Sequence, residues 1–524
     1  MRKYAWMLGA AMAWLTGCNP APKYSRPTFP APPAYKEAPP DQYKEVSGWK
    51  IAEPSDDKIR RKWWEMYNDR ELNQLEQQVQ ISNQTIAQAE ANFRAARAVV
   101  AQARSALFPT VTAGPSFANE RFGARGAVLP GTATGIAPGT AGATGSGTFD
   151  VYSLPIDVSY TADLWHKARN TVAANAFTAQ ASAADVATAM LSTQAELAND
   201  YFQVRQLDRQ RALLGETIKD YRQTLELTQT LFRVGLNSQQ DVAQAQTQLN
   251  TTVAQATDLG VARAQYEHAI AALIGRPPAE FSLPVAPFQA NPPPVPVAVP
   301  SKLLERRPDI ASAERRVAAA NAQVGVAKAA YYPDLTLSAS GGFESTSIAN
   351  WFTWPSRFWS LGPSFAQTLL DFGARRGATE QAEAQYDAAV ANYRQTVLND
   401  FQAVEDNLAA LRILEQELGQ QREAIASART YLDLALNRFK TGIDSYLNVI
   451  TAQTALLTNQ VAELQIQLRQ MTASVNLVMG LGGGWDVGQL PQIREVSHSP
   501  KREAQLPVPP EADRVAPPNP PPVK

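Results

Sequence analysis

Prolines decide where this chain can be helical. It has 37, and most fall in three groups of nine, Pro20–Pro54, Pro277–Pro300 and Pro500–Pro522. Between Pro155 and Pro277, and again between Pro363 and Pro491, there is none. A proline inside a helix costs about 3 kcal/mol. Two proline-free tracts of more than a hundred residues each, rich in Ala, Gln, Leu and Glu, therefore predict long helices. The stretch from Leu164 to Val234 alone would make roughly 105 Å of helix at about 1.5 Å per residue. A globular domain has no use for such a rod, whereas a tube crossing a compartment does.

Apolar residues inside these tracts repeat in heptads. Leu447, Ile450, Thr454, Leu457, Val461, Leu464, Leu468, Met471, Val475 and Val478 step by three and four throughout. So do Leu214, Ile218, Tyr221, Leu225, Thr228 and Phe232, and Ile425, Ala428, Leu432, Ala435 and Phe439 follow them. Sustained heptads imply coiled-coil packing.

The two tracts are copies of one another. A shift of 207 residues brings Arg205 onto Arg412, Gly235 onto Gly442, Ser238 onto Ser445 and Gly275 onto Gly482. Upstream, a shift of 224 aligns Ala103–Ala106 with Ala327–Ala330 and Pro109 with Pro333. The difference of 17 residues must lie between Pro109 and Ser153, where Gly123–Thr148 is rich in Gly, Ala and Thr and has no periodicity. It reads as a loop. Two equivalent halves side by side point to a ring or barrel with pseudo-symmetry.

Each half reads helix, strand, loop, strand, long helix, turn, helix. The strands alternate with period two. Tyr152, Leu154, Ile156, Val158 and Tyr160 share one face, and Ser153, Asp157, Ser159 and Thr161 the other. Leu335, Leu337 and Ala339 oppose Thr336, Ser338 and Ser340, and Leu361 and Phe365 oppose Ser360 and Ser364. Trp351, Phe352, Trp354, Phe358 and Trp359 crowd one hairpin end, which fits an interfacial girdle of a membrane barrel. Four strands cannot close in lipid, because open edges leave backbone groups unpaired. Barrels start at about 8 strands, so the chain must oligomerise, and three copies give about 12 strands with a wide lumen.

Charge and rare residues exclude other classes. Lys and Arg number 48 against 49 Asp and Glu, a net charge of −1 without the basic excess of a nucleic-acid binder. One cysteine and three histidines allow no intramolecular disulfide and no thiolate zinc site, and no metal site is expected. Glu305, Asp309 and Glu314 could pair as catalytic carboxylates, but they are laced with Arg306, Arg307, Arg315 and Arg316, which reads as salt-bridged structure. No nucleophile elbow or phosphate loop is present, so the chain reads as no enzyme, with no cofactor. His166 and His268 have no partner motif and read as surface or belt residues.

The N-terminus reads as an export signal. Arg2 and Lys3 precede an apolar run, Tyr4–Leu15, too short to span a bilayer. It ends in Leu15-Thr16-Gly17-Cys18, which resembles the lipobox of bacterial lipoproteins. That resemblance implies cleavage before Cys18, covalent lipid on its sulfur and acylation of the new amino terminus, and with Asn19 following it favours sorting to the outer membrane. Several acyl chains anchor firmly where one is marginal.

Taken whole, the mature chain resembles the TolC-like outer-membrane factors, in the lipoprotein (NodT-type, RND-associated) branch that serves tripartite efflux pumps. The likeness runs from Trp63-Trp64 through Asp69 and Leu72 to Gly482-Gly483-Gly484-Trp485. Its most specific pieces are Leu303-Leu304-Glu305-Arg306-Arg307-Pro308-Asp309-Ile310, Tyr332-Pro333-Asp334-Leu335, Val404-Glu405-Asp406 and Arg438-Phe439-Lys440-Thr441-Gly442. It implies a mainly α fold with β: a homotrimer with a long coiled-coil α-barrel and a 12-stranded transmembrane β-barrel. Its partners would be outer-membrane lipid, a periplasmic adaptor and an inner-membrane pump of RND or MFS type. The duct would passively export small molecules such as drugs or toxic organics. A duct for type I protein secretion and a structural periplasmic coiled-coil lipoprotein are the alternatives.

The resemblance also places the gate. The turns at Gly235 and Gly442, where glycine permits the left-handed end of a helix, would form the periplasmic tip and adaptor-docking site. Leu447 matches an apolar gate position. One and two turns further on, related ducts carry Asp and Arg in an ionic lock, and here those positions are Thr451 and Thr454. Asp241 and Asp444 lie near the same turns, either as threefold acidic rings or as ordinary turn and cap residues. The expected organisation is a signal peptide over 1–17 and a lipid-anchored Pro-rich segment over 18–62. A first repeat spans 63–276, with strands near 108–119 and 151–163, and a Pro-rich linker in an equatorial belt spans 277–300. The second repeat covers 301–485, with strands near 334–344 and 358–370, and 486–524 is a disordered tail.

Overall fold

The computed structural model describes residues 19–29, 35–37, 62–121, 148–286, 292–293 and 305–497. After a short 3-10 turn, Trp63–Tyr67, come α1 (Arg70–Ser82) and α2 (Gln84–Ser105). The strands β1 (Thr110–Ala113), β2 (Ser116–Arg121) and β3 (Thr148–Ala162) lead into α3 (Lys167–Arg233) and α4 (Gln239–Leu273). The second half runs α5 (Pro308–Ala329), β4 (Asp334–Ser345), β5 (Arg357–Ala366), α6 (Ala374–Lys440) and α7 (Tyr446–Gly480). A five-residue helix, α8 (Ile493–Ser497), follows.

The duplication holds to the residue. α2 and α5 are both 22 residues long, α3 and α6 both 67, and α4 and α7 both 35. Each 67-residue helix is about 100 Å long at about 1.5 Å per residue. No proline interrupts either one.

The sheet is antiparallel, in the order β1-β3-β4-β5, with β2 continuing β1 along the same edge of β3. The strand expected near 108–119 is thus two pieces, broken at Gly114–Pro115 and running on to Arg121. Cross-strand register keeps the two faces apart: Ser153 meets Glu344 and Asp157 meets Ser340, while Leu154 meets Phe343 and Tyr160 meets Leu337. Both outer edges are free in one protomer. At the β4–β5 end, Trp351 stacks on Phe352 with ring centroids 4.8 Å apart, and its Nε1 donates to the Phe343 carbonyl. Trp354 and Trp359 stay 75% and 81% exposed within the protomer.

The main core lies where the shorter helices meet the middle of the two 67-residue ones. Trp63, Trp64, Leu72, Val79, Tyr201, Ile274, Ile310, Val317, Val404 and Val478 are all buried there. A smaller core near the far end joins the two hairpins through Tyr221, Leu249, Phe439 and Tyr446.

Extended segments bind to this middle zone. Arg205 donates to the Pro284 carbonyl and pairs with Glu71 and Asp208, and Arg263 donates to the Leu283 carbonyl, so the chain after α4 is tied to the first hairpin. Arg412, the repeat partner of Arg205, instead pairs with Glu37, and Glu405 accepts from the backbone N–H groups of Lys36 and Glu37. The tail expected to be disordered from 486 is ordered at its start. Val496 is buried against Phe93, Val100, Ala176 and Ala179, and Gln180 donates to the Pro491 carbonyl. Arg104 also donates to the Ser497 carbonyl, so one apolar side chain and two backbone carbonyls dock it; residues 498–524 lie outside the described residues.

Candidate functional site

The two hairpin turns are built alike in backbone and differently in side chains. At the first, the Gly235 N–H bonds Phe232 O and the Leu236 N–H bonds Leu231 O, with Gly235 at φ 79°. At the second, Gly442 and Ile443 make the same bonds to Phe439 and Arg438, with Gly442 at φ 71°. This double bond pattern closes a helix C-terminus through a left-handed residue.

The acids near the turns serve their own chain. Ser238 Oγ accepts from the Asp241 N–H at 3.2 Å and Asp241 Oδ2 accepts from the Ser238 N–H at 3.1 Å, a reciprocal capping box. Asp444 accepts from Asn448 Nδ2 at 2.6 Å and from Arg438 Nε at 3.0 Å. These donors hold its carboxyl below the usual carboxylate range, the Asn448 bond contributing most. Of the two roles open to these acids, the geometry within one protomer is that of cap and turn residues. Ser445, unlike Ser238, makes no side-chain cap.

Leu447 is 58% exposed, one residue into α7. Thr451 donates its hydroxyl to the Leu447 carbonyl at 2.9 Å, so that proton is committed to its own helix. Thr454 lies 3.5 Å from Gln248 Nε2, across the hairpins. Leu236 and Ile443 are exposed at the very ends.

Cys18 lies outside the described residues, but its neighbour does not. Asn19 Oδ1 accepts from Asn170 Nδ2 at 3.1 Å, in the first turn of α3 just beyond the sheet. Tyr24 bonds Glu314 and Phe29 stacks on Phe401 at 5.9 Å. Of the acids weighed for catalysis, Glu314 is therefore spent on Tyr24 and Arg315, and Asp309 on Arg307. His166 precedes α3 at φ 58° without a side-chain cap, its Nε2 3.0 Å from Arg169, and His268 is exposed on α4.

At the end opposite the turns each hairpin returns to the main core, and here the halves diverge. In the first, Asn83 Nδ2 donates to the Leu273 carbonyl at 2.7 Å and Asn83 Oδ1 caps α2. In the second, the position of Asn83 is taken by Arg307. Its Nη1 donates to the Met479 carbonyl at 2.9 Å, and its Nε donates to Asp309 at 2.9 Å and to Asp400 at 3.1 Å. Asp400 escaped the sequence reading. Its signal was an acid inside the buried stripe Tyr393, Val397, Val404, Leu408 and Leu411 of α6, a position that demands a buried partner.

A family model described as outer membrane efflux protein matches residues 75–276 and 299–483. The toluene efflux pump outer membrane protein TtgC of Pseudomonas putida is 30% identical over 477 residues, 90% of this chain and 93% of its own length. The pyoverdine export outer membrane protein OpmQ of Pseudomonas aeruginosa is 30% identical over 461 residues, 87% and 93% of the two chains. Among solved structures, the outer-membrane channel OprN superposes with a TM-score of 0.78 at 27% identity, covering 89% of this chain and 100% of its own. The CmeC outer membrane channel of Campylobacter jejuni shares the fold, with a TM-score of 0.79 at 21% identity over 92% of this chain and 98% of its own.

Proposed function

This chain belongs to the outer membrane efflux protein family, and from that premise we propose that it is the exit duct of a tripartite efflux pump. The observation that carries the reading is a sheet with one apolar and one polar face, open at both edges, continuing into helices about 100 Å long. A homotrimer supplies about 12 strands and closes the sheet, so that no backbone group is left unpaired in lipid. The apolar face then meets the bilayer and the polar face lines the water-filled lumen. The long helices of three copies form the tube below it, and an inner-membrane pump of RND or MFS type, joined through a periplasmic adaptor, loads it. The cargo is small molecules of the kind for which relatives are named, such as toluene and pyoverdine.

Covalent lipid on Cys18 gives a second attachment to the outer membrane. Asn19, one residue on, binds at the first turn of α3 next to the sheet, within reach of the inner leaflet. At the far end Leu447 narrows the tube by apolar contact between copies, and Thr451 and Thr454 leave it without an ionic lock. The turns at Gly235 and Gly442 meet the adaptor, with Leu236 and Ile443 as exposed apolar contacts.

The decisive experiment inserts the purified protein into planar lipid bilayers and pairs this with an in-cell photo-crosslink from Ser445. Step conductance together with capture of a periplasmic adaptor is expected. Absence of conductance would overturn the duct, and capture of an ATP-driven protein exporter would replace efflux by protein secretion. Introducing Asp and Arg at Thr451 and Thr454 should lower the basal conductance, and an unchanged conductance would remove the gate from these residues.

A further inference from the structure

The joint around Arg307 has more negative charge than positive. Its Nε and Nη2 both face two carboxylates at once, Asp309 at the head of α5 and Asp400 in the middle of α6. Its Nη1 is committed to the Met479 carbonyl at the end of α7. The three side chains are 11%, 27% and 6% exposed, so water does little to screen the unmatched charge. Arg307 and Asp309 are the charged groups acting on Asp400, both from the head of α5, while α7 offers a neutral carbonyl. Buried carboxylates that share one cation resolve the excess by taking up a proton. Burial, and then the charge of Asp309, outweigh the pull of Arg307 and push the Asp400 carboxyl up to about 7.

The other half supplies the contrast. Positions equivalent to Arg307, Asp309 and Asp400 are Asn83, Thr85 and Thr193, all neutral. Asn83 makes the matching bond to the end of α4, and Thr193 donates to the Ala189 carbonyl of its own helix.

We propose that Arg307, Asp309 and Asp400 form a proton-operated latch that fastens the second helical hairpin to the head of α5. With a proton on Asp400 the triad is neutral and the joint is closed. Without it, repulsion between the two carboxylates loosens α6 against α5, whereas the bond from Asn83 to the Leu273 carbonyl has no charge to titrate. The sign follows from linkage. A carboxyl raised in the folded state binds its proton more tightly than in the unfolded chain, so the stability it adds is full at acid pH and is lost as pH rises through about 7. Asp400 lies 40 residues before the end of α6 at Lys440, a lever of about 60 Å that carries Leu447 at its far end. The latch stands on the joint's own geometry and holds whether or not the efflux reading does.

The test is amide hydrogen exchange on the full-length protein in lipid nanodiscs between pH 5.5 and 8.5, corrected for the intrinsic pH dependence of exchange. Peptides covering 305–312 and 476–484 should lose protection by about tenfold across this range. Peptides covering 82–89 and 270–277, the matching neutral joint in the same molecule, should not. Asp400→Asn, uncharged and of equal size, should flatten the profile of the second joint, with Asp309→Asn as the alternative if that variant does not assemble. Equal response of the two joints, or a wild-type slope retained in the Asn variant that assembles, overturns the proposal.

Discussion

The two halves of this chain solve one mechanical problem with different chemistry. In each, the end of the shorter hairpin helix must be pinned to the head of an earlier helix of the same repeat, α2 or α5, where a glycine passes over a carbonyl. Gly275, at φ 70°, leaves no room for a Cβ beside Ser82 O, and Gly482, at φ 90°, none beside Arg306 O. The backbone solution is the same twice. Beside it, Asn83 makes one neutral bond in the first half, whereas Arg307 gathers three elements through a carbonyl and two acids in the second. An ancestral repeat thus fixes geometry, while the side chains that hold it are free to diverge in strength and in response to conditions.

The comparison can be broken most forcefully at Arg307. Arg307→Ala leaves two carboxylates buried without their cation, and should weaken the second joint by about 3–5 kcal/mol, read as loss of hydrogen-exchange protection at 476–484. Parity with a neutral truncation would mean that the charge there is idle. Gly275→Ala and Gly482→Ala should each lose about 1–3 kcal/mol of local stability from forcing an L residue into the left-handed region, with the carbonyl clash added. These two losses should match, and a marked inequality would deny that the joints are equivalent in backbone. Asn83→Ala should cost about 1–2 kcal/mol, visible as weaker protection at 270–277 only. At the tips, Ser238→Ala removes a capping box and should cost about 1 kcal/mol, whereas Ser445→Ala, at a position with no side-chain cap, should stay within about 0.5 kcal/mol. Thermal unfolding of the two variants side by side checks this pair.

What the sequence made legible was whatever depends on neighbours along the chain. Proline spacing delimits the long helices, alternation places the strands, and matched landmarks reveal the repeat, because each is a local pattern. The joint at Arg307 was half legible: Arg307 and Asp309 stand two apart in a recognisable motif, but Asp400 is 93 residues from Arg307 and meets it only when α5 and α6 pack. The tip was harder. Asp241 and Asp444 could have faced a lumen or their own turns, and only the hydrogen bonds to Ser238, Asn448 and Arg438 separate the two. Thr451 looks available for bonding between copies until its proton is found on Leu447 O. The docking of Val496 was invisible, since one valine in a proline-rich tail carries no periodicity.

The free edges of the sheet, β1 with β2 on one side and β5 on the other, have a consequence for how the protein is made. In the trimeric duct proposed above these edges lie in hydrocarbon, where an unpaired row of N–H and C=O groups has no water to turn to, and the last rungs of the strand ladder are completed by another copy. In that assembly folding and association of this region are one reaction, governed by mass action. The yield of finished sheet then rises more steeply than in proportion to the amount of chain delivered to the membrane. Cells making half as much protein would carry fewer than half as many pores, with the remainder left as chains that have built their helices but have nowhere to close.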